Sequence, residues 1–135
     1  GYCIYYKNIK ISIITDTGWV NDNMKRKIKG SSLYFMESNH DIKMLKEGNY
    51  PWFLKKRVLS TEGHLSNIDA GLALSEVLSG NGEVVLLAHL SKENNIPSLA
   101  YETVKDCMID YGIDVHRDVA LDLTYKDRAT KVYTL

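Results

Sequence analysis

Three apolar runs in this 135-residue chain stop at residues that bind cations or carry protons. ISIIT stops at Asp16, SLYFM at Glu37-Ser38-Asn39-His40-Asp41, and VVLLA at His89, with the polar stretch SKENN close behind. A further histidine, His64, sits in EGHLSN, just ahead of a helix-start signal. Aspartate, glutamate and imidazole ligate hard or borderline metals, and they also accept and donate protons. In open α/β sheets ligands bind beyond the carboxyl ends of strands, where loops hold side chains on a rigid base.

Each residue also has a plainer reading. Asp16 before Thr17-Gly18 could form an Asx turn or cap the next helix. His89 could be a core histidine bonded to a carbonyl, and His64 after Gly63 could be ordinary loop chemistry. Asn39-His40-Asp41 could open a helix with Asp41 near the positive dipole end. His116, in DVHRD, reads as solvated. Lys25-Arg26-Lys27 and Lys55-Lys56-Arg57 read as solvated helix faces, and Met44 and Trp52 as packing.

The elements that must position these residues follow from periodicity and punctuation. Tyr2–Tyr6 and Ile9–Thr15 read as a hairpin about Lys7-Asn8, although that turn lacks glycine. Val20–Lys29 reads as a short basic helix stopped by Gly30. Ser32–Glu37 is the next strand. Ile42–Glu47 gives one or two helical turns closed by Gly48, and Pro51 opens another helix through Leu59. Ser66-Asn67-Ile68-Asp69 has the form of a capping box, and Ala70, Ala73, Leu74, Val77 and Leu78 recur behind it at helical spacing. Glu83–Ala88 is a fully apolar strand after its first residue. Pro97 opens a helix ended by Gly112, and Val119–Tyr125 with Lys131–Leu135 reads as a closing strand pair. Alternating strands and helices predict an α/β fold with a mixed sheet flanked by helices.

Composition narrows the classes. About 44% of the residues are apolar, and 17 basic residues balance 17 acidic ones, so net charge offers no argument for nucleic acid. Cys3 and Cys107 form no CxxC and suit a reducing compartment. No apolar run approaches the roughly 20 residues of a membrane helix, and the chain reads as cytoplasmic with no membrane partner.

Taken in order, TDTGWV (15–20), FMESNHD (35–41), STEGHLSN (60–67) and LAHLSKENN (87–95) resemble the metallo-β-lactamase-fold hydrolases, and within them the YycJ/WalJ-type branch of phosphodiesterases and DNA exonucleases. The resemblance implies an αββα fold with two divalent metal ions, zinc or manganese, at the sheet edge. It assigns Asp16 as the ligand bridging both metals, His89 as a ligand of the second, His64 as proton donor to the leaving group, and Glu37 as the residue orienting His64. His40, Asp41, Ser91 and Asn94 fall in the branch's own signature and would stand behind or around the site. Two cations would neutralise an anionic phosphodiester and lower the pKa of bound water.

The family's HxHxDH motif is absent, and its next histidine ligand would fall just upstream of Gly1. The chain thus reads as the second half of such a fold, with the N-terminal half as its partner. Asp16 and His89 alone are too few for a zinc site, so weak or absent metal binding and no activity are expected of this chain by itself. A sheet face left bare would favour a homodimer. DNA is the implied substrate; a small-ester or thioester hydrolase and a non-catalytic α/β interaction domain are the alternatives.

Overall fold

The computed structural model describes residues 1–135. Strands β1 (Tyr2–Tyr6) and β2 (Ile9–Ile14) pair antiparallel through a turn in which Lys7 takes a φ of 53°, supplying the left-handed residue that a glycine usually provides. From β2 onward every pairing is parallel: β2 with β3 (Leu33–Glu37), β3 with β4 (Glu83–Ala88), and β4 with β5 (Val119–Leu123). The sheet order β1-β2-β3-β4-β5 repeats the chain order.

Parallel neighbours need crossovers, and each is helical. Helix α1 (Asp22–Ile28) joins β2 to β3; α2 (Ile42–Glu47), α3 (Trp52–Val58) and α4 (Asn67–Val77) join β3 to β4; α5 (Pro97–Asp110) joins β4 to β5. Right-handed crossovers that always step in one direction place their helices on one face of a sheet. The core agrees. Ile14, Tyr34, Met36, Val85, Leu87 and Leu121, alternate residues of four strands, pack with Ile28 of α1, Ala70, Ala73, Leu74 and Val77 of α4, and Val104 and Met108 of α5. Gly71 lets α4 and α5 close up, since a Cβ there would stand 2.8 Å from the Cys107 Cβ and Sγ.

The intervening residues face the other way: on β4 they are buried, Val84 at 6% and Leu86 at 8% exposure, and the face opens toward β1. Ile11 lies beside Leu33, and Ile13 beside Phe35, all half-buried; Tyr2, Ile4 and Tyr6 on β1 are 73%, 51% and 66% exposed.

Most helix limits follow their caps. Asn21 accepts from the Met24 N–H and trims α1 to a start at Asp22. Ser66 caps α4 through the Asp69 N–H at 3.1 Å, but the Asp69 carboxylate accepts from the Ser66 hydroxyl, a variation on the expected box. Three expectations need correction. Lys131–Leu135 is not a strand: Tyr133 donates to Asp122 on β5, yet no backbone hydrogen bond ties the segment to a neighbour, and Val132 is 94% exposed. Trp52 is 64% exposed rather than packed, with Lys56 over its ring. Lys55 is buried rather than solvated, because its ammonium donates to the carbonyls of Lys46 and Gly48 and so closes α2. No helix is long and apolar enough to cross a membrane.

Candidate metal centre

Because β2, β3 and β4 run parallel, their carboxyl ends open on one rim. Glu37 ends β3, His89 follows β4, and Asp16 lies two residues past β2. Asp16 and His89 have φ of 58° and 57°, a left-handed backbone that costs a non-glycine residue roughly 1–2 kcal/mol. Such strain persists where surrounding structure enforces it, and it gathers at functional sites. At both positions it turns the chain out of its strand, so that the side chain is aimed by the loop.

His64 arrives from a separate loop. Gly18 N–H donates to the Thr61 carbonyl at 3.1 Å, and a Cβ on Gly18 would stand only 1.9 Å from the Ser60 carbonyl oxygen. The Asp16–Gly18 turn and the 60–63 turn can therefore touch only with glycine between them. Beyond His64, the Asn39 N–H bonds to the Leu65 carbonyl, and His40 pairs with Ser66 in a parallel bridge.

The side chains then converge on Glu37, which is fully buried. Its Oε1 accepts from His64 Nδ1 at 2.7 Å and from His89 Nδ1 at 2.6 Å. Its Oε2 accepts from the Thr17 and Leu65 N–H groups at 3.2 and 3.4 Å. Four donors satisfy a carboxylate that would otherwise be costly to bury. One oxygen accepting from both rings fixes each Nδ1 as a donor and leaves each Nε2 turned to other work. Asp16 Oδ1 lies 4.0 Å from His64 Nδ1 and 3.8 Å from His89 Nδ1. The imidazoles meet edge to face with centroids 5.1 Å apart.

One ligand atom from each of Asp16, Glu37, His64 and His89 lies within 4.8 Å of the others. Two donors at about 2.2 Å from one ion stand at most about 4.4 Å apart, so the spacing of the group approaches that of a divalent-cation shell. Oxygen and imidazole donors suit a hard or borderline divalent cation. Glu37, saturated from below, is better placed to hold the rings than to face an ion. That leaves Asp16 and the free ring nitrogens of His64 and His89 as the groups open to a ligand.

The remaining predicted residues surround this group. Asp41 caps α2, accepting from the Met44 N–H at 2.9 Å, and Ser91 Oγ accepts from the Asn94 N–H at 3.1 Å. Buried Asn94 accepts from the Asp41 N–H through its carbonyl. His40 is buried with both ring nitrogens unpartnered, and burial, aided by the nearby His64, holds its pKa below the usual imidazole value. Sequence reasoning missed a polar brace beneath the rim. Asn67 and Asn95 exchange amide hydrogen bonds, Ser38 Oγ donates to Asn67 Oδ1 at 2.7 Å, and Asn95 donates to the carbonyls of Ser38 and Asn39. All three side chains are buried, and they tie together the loops that carry Glu37, His64 and His89. The placement of Asn67 and Asn95 within two residues of the GHLS and HLSKE stretches was the available signal.

No protein-family profile matches the chain. It is 40% identical over 131 residues to the exodeoxyribonuclease YycJ of Bacillus anthracis, covering 97% of this chain and 50% of that protein. It is 40% identical over 118 residues to the exodeoxyribonuclease WalJ of Streptococcus pneumoniae strain D39, covering 87% of this chain and 44% of that protein. The chain thus spans about half the length of the curated relatives it matches. Among solved structures it is similar to the metallo-β-lactamase fold protein YhfI from Bacillus subtilis, with a TM-score of 0.59 and 14% identity over 90% of this chain and 39% of that one. By sequence and by fold, the chain belongs to the YycJ/WalJ-type branch of the metallo-β-lactamase-fold proteins.

Proposed function

We propose that this chain is the carboxyl-terminal half of a metal-dependent phosphodiesterase that degrades DNA. The observation that carries the reading is the grip of one buried carboxylate, Glu37, on two imidazoles, with the Asp16 carboxylate about 4 Å away on the same rim. The exodeoxyribonuclease relatives supply the substrate class.

When bound, a pair of divalent ions would supply charge neutralisation for the phosphodiester and a water acidic enough to attack it. Asp16 and His89 would hold those ions from this half. His64 would give its proton to the departing alkoxide, and Glu37 would keep the ring turned for that transfer, worth about 10²–10⁴ in rate. Glu37 holds both rings alike, so the division of labour between His64 and His89 rests on the motif order. A preceding half with an HxHxDH motif would complete the metal shell and cover the bare sheet face.

The test is the full-length protein, loaded with manganese or zinc, given end-labelled DNA, a model carboxylic ester and a thioester. Progressive loss of nucleotides from DNA that is abolished by Asp16→Ala supports the reading. Turnover of the esters alone would make it a small-ester hydrolase, and turnover of none would make it a binding domain. Calorimetric titration of residues 1–135 with either metal should show weak uptake at most; tight binding of two equivalents would refute the incomplete-site account.

A further inference from the structure

Two hollows meet at His89. One, of about 640 Å³, takes in Asp16, Phe35 and Tyr125; the other, of about 350 Å³, takes in His64, Asn39 and Tyr50. Both fall in the size range of sites for small organic ligands. They share five residues: His89, Leu90, Ser91, Lys92 and Lys126. The shared wall therefore carries two lysines and no carboxylate. Glu93 lines only the smaller hollow, and Asp127 only the larger.

An exposed lysine is ordinarily a solvated charge, often paired with a nearby acid. Lys92 and Lys126 are exposed, come from different loops, and make neither ion pair nor hydrogen bond, whereas Lys25 and Lys105 each hold a glutamate. Two unneutralised cations thus stand beside the candidate proton donor and metal ligands, where a phosphodiester would have to lie. Each hollow also holds one tyrosine. Half-buried Tyr50 lines the smaller; Tyr125, at the larger, stacks with the Arg128 guanidinium 3.9 Å from its ring centroid. Cations along a groove with an aromatic ring to each side form the usual platform for an unpaired nucleic-acid strand.

We infer that Lys92 and Lys126 clamp the phosphates on either side of the scissile bond, and that the strand crosses His89 single-stranded, with one base toward Tyr50 and one toward Tyr125. This rests on the phosphodiesterase reading above and adds to it which residues hold the strand and in what form. Paired bases could not stack on the tyrosines, so a duplex must fray to enter.

The experiment measures anisotropy of a fluorescent 12-nucleotide thymidine strand with phosphorothioate links, bound to the metal-loaded full-length protein across a range of salt. Lys92→Ala with Lys126→Ala should weaken binding about tenfold and flatten the salt dependence by about 1.4 in slope, the share of two single-strand phosphates, with metal content and melting midpoint unchanged. Lys43→Ala, on α2, is the control. Tyr125→Ala should weaken the single strand more than a blunt hairpin of equal length. Affinity and slope equal to the control would overturn the inference while leaving DNA cleavage by the wild-type protein intact. A wild-type protein that neither binds nor cuts DNA would overturn both.

Discussion

At the scale of single residues, Glu37 is the pivot. Glu37→Gln keeps the shape but removes the charge and puts an amide where both rings donate. Loss of charge-assisted bonds at a buried site should cost about 2 kcal/mol of stability and broaden or shift the His64 and His89 Nδ1 proton resonances. Unchanged resonances would show that the rings are held by something else. His40 gives a second prediction, in pH. Its folded pKa lies below the free value of 6.5, so the unfolded chain binds the proton more tightly. Its contribution is therefore complete above pH 6.5 and declines as pH falls from there through the folded pKa. His40→Leu should flatten the melting temperature over that acidic interval, and an unaltered pH profile would assign the sensitivity elsewhere. The types and order of Asp16, Glu37 and His89 were readable because each ends or follows an apolar run, and His64 because it stands just ahead of the Ser66 cap. The left-handed backbone at Asp16 and His89 was not, since no glycine marks either place.

At the scale of elements, the meeting of two turns decides whether the site assembles. Gly18→Ala sets a methyl against a backbone oxygen, which no rotamer can avoid. The turns must separate, and Asp16 moves away from His64. Metal uptake by the full-length protein should weaken about tenfold, as for other supports of a metal site, while the melting midpoint falls only slightly because both turns lie outside the main core. A midpoint collapse with uptake intact would reverse the assignment. The elements themselves were mostly legible: the all-apolar run of β4, Ser66 ahead of α4 and Pro97 ahead of α5 each marked what the fold contains. Lys131–Leu135 was not, because a strand-like composition says nothing of whether a neighbour is there to pair with it. Lys55 was not, because a buried ammonium capping carbonyls looks in sequence like any charge in a basic run.

At the scale of the whole molecule, the bare face of the sheet sets the behaviour. We expect residues 1–135 to self-associate through Ile11, Ile13, Leu33 and Phe35, and sedimentation velocity should show a concentration-dependent dimer. Ile11→Lys with Leu33→Lys should restore a monomer, as neither side chain belongs to the helical core; a wild-type chain that stays monomeric at high concentration would mean the face is closed by other means. The strand order carries a last consequence. Since every strand pairs with its successor in the chain, the ladder can grow as the polypeptide leaves the ribosome, each new strand finding its edge already laid down.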